Sequence, residues 1–277
     1  PGLAVHRPTF DADSGAKHLH RGETAMRLPD FIIGGAPRSG TTWLYALADR
    51  HPGIAMARPV KPEPKFFLVD ELHARGLEHY SATWFASLPA GMVAGEKSTN
   101  YLENPVVAER LHAALPTVKL VFCLRDPVTR AWSNYRWSRQ NGMESEDFLT
   151  ALDREEERER NVSERLRHAR PHAYFSRGLY ADMLEPFLRR FPRRQVLVLK
   201  YEDFASAPAD IARRLHAFLG VDERPEDAAG LAVINPSEGG DPLPTAAAAL
   251  LIERYRQPNR KLTTLLGSDF QLWPEPR

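Results

Sequence analysis

Five side chains in this sequence have the type and spacing for chemistry on an anion: Arg38, Glu63, Lys97, Arg125 and Ser133. Arg38 lies within Gly35-Ala36-Pro37-Arg38-Ser39-Gly40-Thr41-Thr42, which has the composition of a phosphate cradle. Glycines let backbone wrap an anion without a Cβ in the way. A helix that follows adds free N–H groups and the positive end of its dipole. A nucleoside-triphosphate loop would read G-x-x-x-x-G-K-[ST]. Here Thr41 stands in the lysine's place, and the cation comes earlier, at Arg38.

Glu63 sits in Lys61-Pro62-Glu63-Pro64-Lys65-Phe66-Phe67. Two prolines hold this stretch extended and non-helical. A carboxylate there suits the rim of a site, and equally a solvated loop. Met92 to Ser98 reads as a buried strand ending in Glu96, Lys97 and Ser98. In open α/β sheets ligands bind beyond the carboxyl ends of strands. Glu96 is the second carboxylate in line for a base. Arg125 leaves the strand Lys119–Leu124 just as a helix opens, with Asp126 as N-cap and Pro127 in the first helical position. Ser133 follows one to two turns later, so Arg125 and Ser133 frame a second anion pocket.

The elements that must position these groups are legible from periodicity. Phe31–Ile33 is a short strand ahead of the cradle, and Leu44, Leu47 and Ala48 have helical spacing behind it. Gln195–Lys200 is a further strand, followed by a helix from about Pro208 to Leu219. Strands alternating with helices predict an α/β fold with a central, mostly parallel sheet covered on both faces. Glu146 to Arg170 is so densely charged that it reads as a solvated helix, with Glu156 and Arg160 as a favourable i,i+4 pair. Val233 to Pro244 is a turn-rich loop expected to cover the site. Ala246 to Gly267 is expected to close the fold as helices. Phe66, Phe67, Tyr101, Tyr135 and Trp137 are candidate acceptor-lining aromatics, and equally candidate core.

Composition narrows the classes. Thirty-seven basic residues balance 36 acidic ones, so nothing global points to nucleic acid. The lone Cys123 excludes an internal disulfide framework and reads as a buried, inert thiol. No apolar run reaches the ~18 residues of a membrane span. The first residues lack a signal-peptide core, so a cytoplasmic protein is expected. Residues 1–27 read as an arm or tail, and 28–277 as a single domain. His18 and His20 have no supporting ligand cluster, and no metal is expected.

Five segments in order resemble sulfotransferases that use 3′-phosphoadenosine 5′-phosphosulfate (PAPS), and within them the heparan-sulfate type. Gly35 to Thr42 resembles the phosphosulfate loop. Glu63-Pro64-Lys65-Phe66-Phe67 is similar to the E-x-x-F-F stretch whose glutamate is the base. Gly95-Glu96-Lys97-Ser98-Thr99-Asn100-Tyr101 resembles E-K-[ST]-x-x-Y. Leu124 to Pro127 with Ser133 resembles the 3′-phosphate site. Tyr255 to Lys261 resembles a late Y-x-x-P-N-x-K segment. The likeness spans about residues 28 to 273. It implies a P-loop-like three-layer fold and sulfuryl transfer from PAPS, with PAP as product, to a small-molecule, lipid or carbohydrate hydroxyl or amine. It further implies catalytic roles for Glu63, Arg38 and Lys97. Nucleotide contacts would come from Gly35, Ala36, Pro37, Arg38, Ser39, Gly40, Thr41, Thr42, Arg125 and Ser133. Two departures stand out. Arg38 replaces the lysine of many such enzymes, which keeps charge but cannot release a proton. The segment Ser237-Glu238-Gly239-Gly240 lacks the family's basic nucleotide-contacting element and cysteine pair. Both favour a bacterial-type enzyme with an acceptor other than heparan sulfate. The alternatives are a P-loop kinase or hydrolase and a non-catalytic nucleotide-binding module. The first lacks a loop lysine and a Walker-B carboxylate.

Overall fold

The structure is a computed structural model that describes residues 26–232, 241–267 and 270–273. Five parallel strands form its sheet in the order β2-β3-β1-β4-β5: β1 (Phe31–Gly35), β2 (Ile54–Met56), β3 (Val93–Lys97), β4 (Lys119–Leu124) and β5 (Val196–Lys200). The helices are α1 (Thr41–Arg50), α2 (Asp70–His73), α3 (Gly76–Trp84), α4 (Pro105–Ala114), α5 (Pro127–Gln140), α6 (Phe148–Asp153), α7 (Glu155–Arg160), α8 (Tyr180–Leu188), α9 (Asp203–Ser206), α10 (Pro208–Leu219) and α11 (Thr245–Leu266). This is the predicted three-layer arrangement, with every described strand pair parallel.

Strand alternation sorts the core into two layers. Ile32, Leu120, Phe122 and Leu124 face α4, α8 and α11, packing with Leu111, Leu184, Phe187 and Leu262. Phe31, Ile33, Val121 and Cys123 face α1 and α10, packing with Leu44, Leu47, Ile211 and Leu215. Cys123 is fully buried, and burial pushes its thiol far up, so it is inert as expected. A third cluster joins α5, α6 and α11 through Tyr135, Phe148, Tyr174 and Tyr255.

β1 is central, with β3 on one side and β4 on the other. The chain leaves β1 towards the β2 edge and later crosses to β4. The carboxyl ends of β1, β3 and β4 therefore lie side by side at the place where open sheets bind ligands. Ile33 pairs with both Lys97 and Val121, which fixes the height of the three ends.

Two expectations change in detail. The charged stretch 146–170 is no single solvated helix. Asp147 caps α6 through bonds from Leu149 N at 3.0 Å and Thr150 N at 3.1 Å, and the chain then breaks before α7. Glu155 is buried, and its carboxylate accepts from Phe175 N at 2.6 Å and Ser176 N at 2.8 Å. The C-terminal segment is one long helix with Pro258 inside, not several. The covering loop and its Ser237–Gly240 segment lie within 233–240, outside the described residues, as do His18 and His20.

β3 needs glycine at position 95. A Cβ there would overlap the Phe31 ring of β1 and lie 2.8 Å from Met56 Sδ of β2. Gly95→Ala should therefore lower the denaturant midpoint, with a loss of about 1–3 kcal/mol for an overpacked core. An unchanged midpoint would show that Phe31 yields freely.

Candidate active site

The loop after β1 meets α1 at Gly40, whose φ of 83° suits glycine, and whose Cβ would lie 2.7 Å from the Phe204 ring. α1 has no side-chain cap and no acidic residue in its first turn. Its amino end is thus left for an external anion. Ala36 and Ser39 are fully buried, so the loop is clamped from below. Arg38 takes a left-handed φ of 66°, which turns its side chain over the loop. Its Nε donates to Ser133 Oγ on α5 at 3.2 Å.

Arg125 follows β4, and its Nη1 donates to Arg38 O at 3.4 Å. Its guanidinium lies 4.8 Å from the centre of the Tyr201 ring after β5. Glu202 accepts from Asp126 N at 2.9 Å and from Trp273 Nε1 at 2.6 Å, which fixes the turn that presents Arg125. Asp126 and Pro127 cap α5 as the sequence predicts, with Val128 N donating to Asp126 Oδ1 at 3.0 Å. Arg38, Arg125 and Ser133 thus lie side by side, so the two expected anion sites adjoin.

Two further arginines stand behind them. Arg130 is fully buried, donates from Nη2 to Tyr174 O, and finds no protein partner for Nε or Nη1. Arg177 is buried and pairs with Glu103, Nη2 to Oε2 at 3.0 Å, while its Nη1 donates to Asn134 at 3.1 Å. Burial, then Arg125, then Arg130 and Arg177, lower the Arg38 guanidinium to about 10, against the opposing pull of Tyr201. An excess of positive charge in a walled site of this kind fits a polyphosphorylated or phosphosulfated ligand.

The third group is built on β3. Lys97 is almost fully buried and forms an ion pair with Glu63, which arrives on the extended Pro-Glu-Pro segment. Thr99 holds the same carboxylate twice: its N–H donates to Oε2 at 3.0 Å and its Oγ1 to Oε1 at 2.6 Å. Thr99 Oγ1 also lies 3.3 Å from Thr41 Oγ1, in the first turn of α1. Burial raises the Glu63 carboxyl, but the Lys97 charge and the bonds from Lys97 and Thr99 together hold it below the usual range. Glu96, the other candidate base, points to the opposite face of β3 and is fully buried, so it cannot meet an acceptor.

Beside this centre opens a cavity of about 750 Å³. Leu68 and Asn100, neighbours of Phe67 and Thr99, form part of its wall, and α6 and α7 contribute more. Of the aromatics weighed as acceptor lining, Phe66, Phe67, Tyr101 and Tyr135 are buried core residues, and none of the five lines the cavity. The late segment is structural too. Tyr255 OH donates to Phe175 O at 2.7 Å, and Lys261 pairs on the surface with Asp182 at 2.6 Å.

Comparison with known proteins decides the family. A sulfotransferase-domain family matches residues 28–232. The chain belongs to the sulfotransferase family. Mouse heparan sulfate glucosamine 3-O-sulfotransferase 3A1 is 31% identical over 292 residues, covering 97% of this chain and 70% of the relative. The human 3-O-sulfotransferase 6 is 29% identical and covers 98% of this chain and 80% of the relative. A solved sulfotransferase from Alicyclobacillus acidocaldarius superposes with a TM-score of 0.72 at 28% identity, covering 87% of this chain and 96% of that one. A mouse sulfotransferase complexed with PAP shares the fold at TM-score 0.50 and 17% identity, covering 78% of this chain and 69% of that one. This sulfotransferase transfers a sulfuryl group from PAPS to an acceptor, and the kinase reading is set aside.

Sequence reasoning missed six residues of the site: Thr99, Glu103, Arg130, Arg177, Tyr201 and Glu202. Thr99 carried a signal, because it follows Lys97 by two positions at a strand end. The others act through contacts distant in sequence, for which composition gives no sign. A different buried cluster, His51, His216 and Asp227, lies elsewhere in the fold. Both His51 nitrogens are already engaged, by Gly53 N at 3.0 Å and Asp222 O at 2.9 Å, so His51 is a poor metal ligand.

Lys97→Met removes the charge and one of the hydrogen bonds that, together with those from Thr99, outweigh burial at Glu63. The Glu63 carboxyl should then move from below to above the usual carboxylate range, read by carbon-detected NMR titration. A Glu63 titration that stays low would assign the effect to Thr99 alone.

Proposed function

We propose that Glu63 is the general base, that Lys97 and Arg38 stabilise the transferring group, and that Arg125 with Ser133 holds the 3′-phosphate. The observation that carries this reading is the Lys97–Glu63 pair, tied by Thr99 to Thr41 at the amino end of α1. It brings an ionised carboxylate and a buried ammonium to the mouth of the anion cradle. Gly35 to Thr42 supply backbone N–H groups for the 5′-phosphate side. The acceptor oxygen attacks sulfur, the sulfur–oxygen bond to PAP breaks, and PAP leaves with the electron pair. Glu63 takes the acceptor's proton.

A base paired with a lysine is weak until the pair opens. Lys97 turning to the sulfuryl oxygens frees Glu63 and raises its basicity as bond-making begins. The pair thus keeps Glu63 ionised when idle and releases it when substrate is in place. Arg38 acts through charge alone, as arginine requires.

The cavity favours an acceptor without strong negative charge. Its charged lining is five carboxylates and four arginines. Arg170 is occupied by Glu103 at 3.3 Å and Glu159 at 3.2 Å, and Arg254 stacks 3.9 Å from the Phe175 ring centre. Leu152, Phe175 and Leu179 add apolar wall. A polyanion such as heparan sulfate calls for a basic track, which this wall does not offer. A small amphiphilic molecule bearing a hydroxyl fits volume and lining better. The expected setting is cytoplasmic and the expected enzyme of bacterial type. Among the described residues no helix is long and apolar enough to cross a membrane.

With PAPS present, small amphiphilic alcohols and phenols should gain the mass of one SO₃, and heparan sulfate oligosaccharides should not. Transfer confined to the oligosaccharides would overturn the acceptor reading. On the accepted substrate, Glu63→Gln should cut kcat by about 10²-fold or more with PAP affinity nearly unchanged. Arg125→Ala should instead weaken PAP by about 10- to 100-fold, as loss of charged hydrogen bonds predicts. A near-normal kcat in Glu63→Gln would remove the base from this residue.

A further inference from the structure

Glu96 is a fully buried carboxyl that the transfer chemistry does not use. It lies one residue from Lys97 on the other face of β3, among Tyr80, Tyr101, Phe66 and Phe67, all buried. Two bridges run from its surroundings to the segment that carries Glu63. Ser98 Oγ donates to Glu96 Oε2 at 3.1 Å and accepts from Lys65 N at 2.9 Å. Tyr101, packed beside Glu96, accepts from Phe67 N at 3.1 Å through its hydroxyl. Lys65 has a left-handed φ of 50°, a conformation that a side chain other than glycine keeps only when its surroundings enforce it. The enforcing bond is the one from Lys65 N to Ser98.

We propose that Glu96 is a positioning residue, which fixes the Glu63 segment through Ser98 and Tyr101 so that the base stands over the anion cradle. The proposal rests on Glu63 as base only for its catalytic consequence; the fixed segment is a property of the fold. Among the described residues Glu96 Oε1 and the nearby Tyr80 hydroxyl make no well-formed hydrogen bond, so this pocket gives a charged carboxylate little compensation. Burial accordingly raises the Glu96 carboxyl to about 8, against the pull of the Tyr80, Ser98 and Tyr101 hydroxyls and with a push from the Glu63 charge. The working form is the uncharged acid.

The sign of the pH effect follows. When the segment opens and water reaches Glu96, its carboxyl returns towards the ordinary carboxylate value. The open state therefore loses its proton at lower pH than the closed state. Closure is strongest in acid, weakens as pH rises towards 8, and changes little beyond. Four other titratable groups face this pocket, and of these His73 is the one that the Glu96→Gln variant separates from Glu96. Glu63 is held low, Tyr80 and Tyr101 are raised far above their ordinary value, and His73, beside Phe66, is lowered by burial and Arg110. Lys97, the next residue along, is paired with Glu63 on the opposite face.

Amide exchange at Lys65 and Phe67 in the full chain tests this without an acceptor. In the wild type, protection at both amides, corrected for intrinsic exchange, should fall about tenfold or more from about pH 6.5 to about pH 8. Glu96→Gln keeps the shape of the neutral acid and cannot ionise, so its protection should be flat over that range. Ser98→Ala should speed exchange at Lys65 about tenfold and leave Phe67 protected, which a general loss of stability would not do. A Glu96→Gln protein that reproduces the wild-type fall would assign it to His73 or the fold at large and overturn the proposal. So would a Ser98→Ala protein in which Lys65 keeps its protection. Normal turnover in Glu63→Gln would sink the base reading and leave this exchange result standing.

Discussion

The structure depends on holding like charges together. Arg38, Arg125, Arg130 and Arg177 converge behind the loop after β1, with Lys97 beside them, and few carboxylates are spent on them. Glu63 answers Lys97, and Glu103 answers Arg177 and Arg170. In a low-dielectric site such an arrangement is costly to the free protein. Burial, with Arg125, Arg130 and Arg177 nearby, lowers the Arg38 guanidinium in keeping with that cost. A nucleotide with anions at both ends relieves it, so affinity and stability draw on one store of electrostatic energy. The site is thereby prepared before substrate arrives, which is what electrostatic catalysis requires.

Only a stiff frame can keep such a cluster from spreading. Here the frame is the three central strands, whose parallel registers set Lys97, the loop at Gly35 and Arg125 side by side. Side-chain alternation then gives each strand end two faces. On β3 one face carries Lys97 into the site and the other carries Glu96 into aromatic core. The supporting contacts are drawn from the residues just after β5 and β3 and from α5: Glu202 braces Asp126, Thr99 braces Glu63, and Ser133 braces Arg38. Each brace joins residues far apart in sequence.

That separation explains what the sequence could and could not disclose. The cradle was legible because its signal is local: glycines, one cation and a helix start within eight residues. Asp126-Pro127 was legible for the same reason, being a cap and a first-turn proline in succession. The sheet followed from apolar runs between helical periods. The charged stretch 146–170 misled, since its composition is that of a solvated helix while Glu155 is consumed by two backbone N–H groups of a distant turn. Nor could spacing reveal that Arg38 and Ser133 meet. A left-handed backbone at Arg38 turns its side chain to α5, and a non-glycine residue in that region carries no compositional mark. Lys97 and Glu63 were each suspected alone, and their pairing emerged only from the fold.

Two carboxylates near one strand end therefore have opposite fates. Glu63 and Glu96 are both removed from water, and removal alone would leave both protonated. What separates them is the company on each face of β3. Lys97 and two bonds from Thr99 overcome burial at Glu63, while Glu96 receives hydroxyls and no cation. A pair of titratable groups pushed apart by their surroundings is a common way to divide acid and base duties. In the roles proposed above the division is different: Glu63 meets the chemistry, and Glu96 supports the segment that bears it. Exchanging their roles would require moving the lysine across the strand, and the period-two alternation of β3 forbids that without a register shift of the sheet's centre. The order Glu96-Lys97 thus sets which carboxylate is paired with the lysine.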